Sequence, residues 1–434
     1  MRFVFLFILM VISRLANTAL QVDISAKAAV LMNAETGAVL YEKNAYLPLY
    51  PASITKIITA LYALEKRGDQ LDQVIKVSKD AVSSISSQMR RDKLGVHPPY
   101  RLEFGGSLMG LKVAETVSAE TLFYGLMLSS GNDAANVLAE WVSGSIPQFM
   151  QELNEYVKSL GCKQTILTAP HGLTHADHKT TAYDMCLLTK KALEQPFFRK
   201  VVKTITYLKP ASNKQPQVEL LQHNSLIKPG KFYYPKAIGV KTGYTASSGY
   251  TIAAAAADQN RKMIAVLMGC NKLEQRYRDT IALFEAGFNE PKMKRTLFSK
   301  NFDVFSTIQK KSKHPIKAVL NEDVVISYYA SEEPLIKPEL EWEPITFPIQ
   351  PGQQLAMLSL YDQNNQVLDS YPLYAIEKVN ATFYYQVLGK CLSWSISLKK
   401  SLPLLVLGLG IAVLFFSFFW FCGLVFFDCF LFLR

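Results

Sequence analysis

Cysteine is sparse and unpatterned in this 434-residue chain. The six cysteines (Cys162, Cys186, Cys270, Cys391, Cys422 and Cys429) form no CxxC and no metal-ligand spacing, and two lie in a greasy C-terminal stretch. Neither a disulfide framework nor a zinc module is expected. Charged residues make up only 19% against 49% hydrophobic and 12% aromatic, which excludes wholesale disorder. The 22 Gly and 20 Pro follow no collagen-like period, and no internal repeat is visible. The net charge of +11 would suit an anionic polymer or a membrane surface. Lys and Arg are nevertheless scattered and no known nucleic-acid motif is present, so nucleic acid is not expected as a partner. The length predicts two or three domains, with a core large enough to need no staples.

Both ends are apolar. Residues 1–19 read as a signal peptide: a cation at Arg2, a short apolar run from Phe3 to Ile12, then small residues near Ala16–Ala19. That run is shorter than the ~20 apolar residues that span a bilayer. At the other end Leu402–Phe427 holds no charged residue and follows Lys399–Lys400. As a helix it would extend roughly 39 Å, more than the hydrocarbon core. Residues 386–434 are therefore expected to be a linker and a hydrophobic C-terminal membrane anchor, a transmembrane helix or a tilted interfacial one. An exported chain so held would sit on the outer face of the cytoplasmic membrane.

Between these ends, Lys27–Asn33 and Ala38–Glu42 read as a hairpin, with Gly37 in the turn. Pro51 opens a helix carrying Ile54, Ile57, Ile58, Leu61 and Leu64 at helical spacing, closed by Lys66, Arg67 and Gly68. A helix is expected from Ser118, its N-cap, to about Ser129, and another with its first turn near Asp133. Strands follow around Ala237–Thr242, Gly249–Ala257 and Met263–Gly269, then a helix from about Arg276 to Phe288. Strands near both ends with helices between them predict one α+β domain over residues 20–290. Residues 291–385, with alternating apolar segments and Pro clusters, read as a small β-rich domain.

Three short signals stand in fixed order. Ser53-Ile54-Thr55-Lys56 lies in the first turn of the Pro51 helix, Ser130-Gly131-Asn132 in a loop between two helices, and Lys241-Thr242-Gly243 at the end of a strand. Each triplet recurs by chance, but all three in this order are specific. Residues three apart on a helix share a face, so Lys56 can reach the Ser53 hydroxyl. A serine becomes a nucleophile when a neighbouring base takes its proton. A lysine near its reference pKa of about 10.4 is a poor base at neutral pH. The helix dipole and the second cation, Lys241, are expected to lower it, and burial pushes the same way. The backbone N–H of Ser53 can serve an oxyanion, with a second donor expected just after Gly243.

These residues resemble the penicillin-recognising serine enzymes, and within them the low-molecular-mass penicillin-binding proteins, the serine-type D-alanyl-D-alanine carboxypeptidases. Pro51–Lys56, Ser130–Ala135, Pro170-His171-Gly172-Leu173 and Gly239–Thr245 look like that family's blocks. The resemblance runs from about residue 25 to 290 and continues faintly through Pro351-Gly352 and Pro372-Leu373. It implies an antiparallel sheet with helices on both sides and an all-helical lobe. It also implies peptidoglycan pentapeptides ending in D-Ala-D-Ala as substrate, β-lactams as inhibitors, and no cofactor or metal. Ser53 would be acylated, Lys56 would be its base and Ser130 would relay a proton to the leaving amine. Asn132 would hold a peptide carbonyl, and Lys241 and Thr242 the terminal carboxylate, with Arg276 as a further candidate. The N–H of Tyr244, just past Gly243, would complete the oxyanion hole.

Competing readings are fewer. His171, His175 and His178 have a zinc-like spacing, but Pro170 and Gly172 mark a loop and the serine mechanism needs no metal. A class A β-lactamase would carry E-x-x-x-N between Asn132 and Lys241. Glu140, Glu152, Glu155, Glu194 and Glu219 all lack an Asn four residues on. A transpeptidase or endopeptidase would use the same triads, and a retired wall-binding or β-lactam-sensing protein need not keep both Ser53 and Lys56.

Overall fold

The computed structural model describes residues 19–85, 97–312 and 314–387. The described chain forms two compact units, one of residues 19–293 with Tyr328–Glu333, the other of Lys294–Ser327 with residues 334–387.

In the first unit the elements are, in chain order, β1 (Ala28–Asn33), β2 (Val39–Lys43), a 3-10 turn (Ala52–Thr55), α1 (Lys56–Arg67), β3 (Val74–Lys76), β4 (Thr116–Ser118), α2 (Ala119–Met127), α3 (Asn132–Ser143), α4 (Ile146–Ser159), α5 (Ala182–Glu194), α6 (Pro196–Lys203), β5 (Thr206–Lys209), β6 (Val218–Leu221), β7 (Ala237–Thr245), β8 (Gly249–Ala257), β9 (Lys262–Cys270) and α7 (Leu273–Phe288). The main sheet runs β2-β1-β9-β8-β7, every neighbour antiparallel. Its central strands β1, β9 and β8 are buried on both faces, so they read as near-continuous apolar runs. Val30, Ala253, Ala255, Ile264 and Val266 face the α1–α6 side, while Leu31, Ile252, Ala254, Ala265 and Leu267 face Tyr277 and Phe284 of α7. Consecutive alanines on β8 keep both faces shallow and let a helical layer approach from either side. The hairpins β3–β4 and β5–β6 stand outside this sheet.

Local chemistry sets the helix ends. Ser118 caps α2, its hydroxyl accepting from the Thr121 amide at 3.2 Å. Gly131 occupies the N-cap of α3, so Asn132 is already helical rather than part of the preceding loop. Gly68 ends α1 in a right-handed conformation (φ −62°), donating to the Leu64 carbonyl, so its freedom to go left-handed is unused.

The second unit holds β11 (Val304–Thr307), β12 (Ile316–Leu320), β14 (Lys337–Trp342), β15 (Gln354–Tyr361), β16 (Val367–Ala375) and most of β10 (Lys292–Phe298) and β13 (Val324–Tyr329). Its five-stranded antiparallel sheet is ordered β11-β12-β16-β15-β14. Alternation along β12 and β15 sends Ile316, Ala318, Leu358 and Leu360 into one core.

One expectation is corrected. Among the described residues no helix is long and apolar enough to cross a membrane. The longest, α7, has 16 residues and extends about 24 Å against a core of roughly 30 Å. Its buried side is moreover committed to the sheet. The C-terminal membrane anchor is therefore withdrawn, and with it the transmembrane helix, the membrane as a partner and the anchored location. Residues 402–434, on which the anchor rested, and residues 1–18 of the expected signal peptide lie outside the described residues.

The N-cap of α2 gives a direct check on this local reading. Ser118→Ala is expected to cost about 1 kcal/mol in urea unfolding without altering the chemistry of Ser53; an unchanged midpoint would contradict the capping role.

Candidate active site

The Ser53 hydroxyl and the Lys56 amine meet at the junction between the 3-10 turn and α1. Sequence spacing predicts a regular helix from Pro51; instead Ala52–Thr55 winds as a 3-10 turn, and α1 begins at Lys56. Ala52 is left-handed (φ +53°), a costly state for a residue with a Cβ. Three contacts hold it there. Thr55 Oγ1 donates to the Ala52 carbonyl at 2.8 Å, and Thr251 Oγ1 donates to the Pro51 carbonyl at 2.9 Å. Gly172 (φ +87°) packs so closely that a Cβ would lie 2.0 Å from the Ala52 carbonyl oxygen. The turn presents Ser53 partly exposed, while Lys56 beneath it is fully buried.

Lys56 Nζ has three neighbours: Ser53 Oγ at 3.0 Å, Asn132 Oδ1 at 2.6 Å and the His171 carbonyl at 2.8 Å. The last two are acceptors only. A neutral amine has two N–H groups and one lone pair, so these acceptors take both protons and leave the lone pair facing the Ser53 hydroxyl. Burial is the largest cause holding the Lys56 pKa well below its ordinary value. Lys241 lowers it further, and Asp133 opposes. The dominant cause is thus burial rather than the neighbouring cation.

The segment after α4 completes the floor. Pro170 accepts from Thr59 Oγ1 at 2.6 Å, and His171 offers its carbonyl to Lys56. The His171 ring accepts at Nδ1 from the Leu173 amide and, through Nε2, contacts the Tyr100 carbonyl at 3.1 Å, which fixes a neutral Nε2–H tautomer. His178 is likewise neutral, Nδ1 accepting from the Thr168 amide and Nε2–H donating to Thr55 Oγ1. Burial pushes both rings down to about 3. These two histidines are committed to protein partners, and no cluster able to hold a metal occurs among the described residues.

The other two motifs converge on the same serine. Ser130 is buried and left-handed (φ +58°), directly before the N-cap of α3 that carries Asn132. On β7, Gly243 passes so near the turn that a Cβ would lie 2.8 Å from the Ser53 nitrogen and 2.5 Å from Thr251 Oγ1. Lys241 and Thr242 precede it, both buried, and the Tyr244 ring beyond it is exposed. Burial, reinforced by Arg276, lowers Lys241 to about 7. Arg276 lies buried below the strands, donating to the carbonyls of Gly243 (3.1 Å) and Thr251 (3.2 Å) and to the Tyr277 hydroxyl (2.9 Å). It ties β7 to β8 at the point where both meet the turn.

This geometry has counterparts. A family model described as D-alanyl-D-alanine carboxypeptidase matches residues 15–272, and one described as penicillin-binding protein 5, C-terminal domain, matches residues 293–381. The chain belongs to the D-alanyl-D-alanine carboxypeptidase family.

Within that family, the chain is 32% identical over 375 residues to D-alanyl-D-alanine carboxypeptidase DacF of Bacillus subtilis, covering 84% of this chain and 89% of the relative. It is 29% identical over 359 residues to DacD of Salmonella typhimurium, covering 82% and 87%. Penicillin binding protein 6B from Escherichia coli shares the fold, with a TM-score of 0.57 at 24% identity over 81% of this chain and 96% of that one. The Streptomyces K15 DD-transpeptidase superposes with a TM-score of 0.54 at 27% identity, covering 62% and 98%.

Sequence reasoning missed what the family fold adds around the motifs: the His171 carbonyl, the Gly172 contact, and Thr251 on β8. The Pro-His-Gly triplet was the available signal, since a glycine can mark a backbone that something approaches closely.

Two outcomes follow from this geometry. Gly243→Ala should force β7 away from Ser53 and slow acylation by penicillin roughly 10²-fold in a protein that still folds; a wild-type rate would mean that the strand is not needed there. The pH dependence of kcat/KM should have two limbs. It falls toward acid as Lys56 gains a proton and loses its lone pair, and toward alkali as Lys241, lowered to about 7, gives up its charge. A profile flat from pH 5 to 10 would contradict both assignments.

Proposed function

We propose that this chain is a serine-type D-alanyl-D-alanine carboxypeptidase that removes the terminal D-Ala of peptidoglycan pentapeptides through an acyl-enzyme on Ser53. The observation that carries this reading is the Lys56 amine, buried, with two obligate acceptors on its protons and the Ser53 hydroxyl 3.0 Å away. Ser53 Oγ attacks the carbonyl of the D-Ala–D-Ala bond while its proton passes to Lys56 Nζ. The amides of Ser53 and Tyr244 receive the oxyanion.

Collapse of that intermediate breaks the C–N bond. The Lys56 proton reaches the departing amine through the Ser130 hydroxyl, and free D-Ala leaves. Water then enters, Lys56 takes a proton from it, and hydrolysis of the ester restores Ser53. Asn132 Nδ2 holds the peptide carbonyl on the acyl side. Lys241 and Thr242 receive the terminal carboxylate, and Arg276 adds positive potential from below. A β-lactam is opened by the same attack, but its amine stays tethered in the adduct, so release stalls and the enzyme is inhibited.

The likeness to the Streptomyces K15 DD-transpeptidase supports a second outcome, in which an amine rather than water accepts the acyl group.

The test combines two measurements. Penicillin should add its mass to the chain, and a pentapeptide should release free D-Ala; Ser53→Ala should lose both. A cross-linked dimer formed instead of free acid would favour transpeptidation, and mass addition without D-Ala release would favour a sensor. Lys56→Ala should fold yet acylate roughly 10³-fold more slowly. An equal rate would mean that the base lies elsewhere.

A further inference from the structure

One wall of the cleft is held more firmly than the serine chemistry requires. Residues 107–112 run beside Asn132 and are clamped between two buried carboxylates. On one side Asp133 accepts from the amides of Met109 (2.8 Å), Gly110 (2.8 Å) and Leu111 (2.9 Å). On the other, Glu115 accepts from the Lys112 amide (2.9 Å) and from Gln215 Nε2 (2.6 Å), which also donates to the Gly110 carbonyl at 2.9 Å. Glu115 is fixed in turn by Lys209 Nζ at 2.6 Å and Ser212 Oγ at 2.7 Å, from the β5–β6 hairpin and its loop. Lys209 and Glu115 are 1% and 0% exposed. A buried ion pair is a poor source of stability compared with apolar side chains of similar volume, and its better-attested use is to select one geometry.

The geometry selected here is that of the wall against Asn132. The Ser107 carbonyl accepts from the Asn132 amide at 2.9 Å, and a Cβ at Gly106 would lie 3.1 Å from Asn132 Nδ2. Oδ1 of that side chain is taken by Lys56. Nδ2 is therefore the atom left for a ligand, and it lies against Gly106, where the chain enters the wall.

We propose that Glu115 and Gln215 are positioning residues for substrate recognition: through the 107–112 wall they hold Asn132 Nδ2 where it meets the substrate's amide carbonyl on the acyl side of the scissile bond. The inference rests on the carboxypeptidase reading above. It concerns binding rather than proton transfer, because Lys56 keeps the His171 carbonyl and the Ser53 hydroxyl as partners that do not run through the wall.

The decisive variant is Gln215→Ala, since Gln215 is only partly buried and bridges Glu115 to the wall. D-Ala release from a pentapeptide is measured alongside thermal unfolding. The expected result is a KM raised about tenfold, kcat within twofold, and an unfolding midpoint within a few degrees of wild type. Glu115→Gln should raise KM in the same way, and the double variant no further than the stronger single, because both act through one wall. If Glu115→Gln leaves Lys209 unpaired and does not fold, Gln215→Ala decides alone. An unchanged KM in Gln215→Ala, or a loss confined to kcat, overturns the inference and leaves a purely structural brace. A wild-type chain that releases no D-Ala overturns the carboxypeptidase reading and this inference together.

Discussion

A single primary amine, withdrawn from water, is the constraint on which the site depends. An exposed lysine is an ammonium at neutral pH and has no lone pair to offer. Lys56 is fully buried, with Lys241 as a second cation acting on it. Desolvation disfavours the charge, and in the neutral amine the two acceptors at Asn132 and His171 decide where the lone pair points. Chemistry and orientation thus come from the same burial. An ammonium in this position would donate to all three neighbours and leave the Ser53 hydroxyl without a base.

The surrounding fold can be understood as the means of keeping that amine dry and its serine presented. Ala52 sits in a backbone state it would not choose alone, held by Thr55 within the turn, by Gly172 from the segment after α4 and by Thr251 from β8. Strained backbone of this kind persists only where the surroundings over-determine it. The sheet brings β7 to the same place, where Gly243 can approach Ser53 because it lacks a side chain. Arg276 keeps β7 and β8 in register there, and its charge helps bring Lys241 down to about 7. Arg276 and two lysines can share this space because burial lowers both amines.

Much of this was legible in the residues alone, and the part that was not has a common cause. The three motifs, the β1–β2 hairpin and strands β7–β9 announce themselves through spacing, turn residues and unbroken apolar runs, which are local properties. The Ser118 cap was visible for the same reason. The 3-10 turn was not, because it is imposed by Gly172 and Thr251, more than a hundred residues away in sequence. The ranking of causes behind the Lys56 shift was hidden for a related reason: Lys241 can be read from a motif and burial can be expected, but the extent of burial belongs to the finished fold. Nothing local in the sequence marks Glu115 and Lys209 as partners. Only the β5–β6 hairpin, folding back over residues 107–116, makes them a buried pair. The apolar C-terminal run illustrates the opposite limit, since hydropathy alone invited an anchor that no described helix supports.

The most direct measurement is an NMR titration of the Lys56 side chain, labelled at Nζ and Cε, in the folded protein without ligand. An amine that protonates only at a pH well below the 10.5 of an ordinary lysine is the predicted result. An ammonium that persists to pH 10 would contradict the account, because no other described group lies within hydrogen-bonding reach of the Ser53 hydroxyl to take its proton.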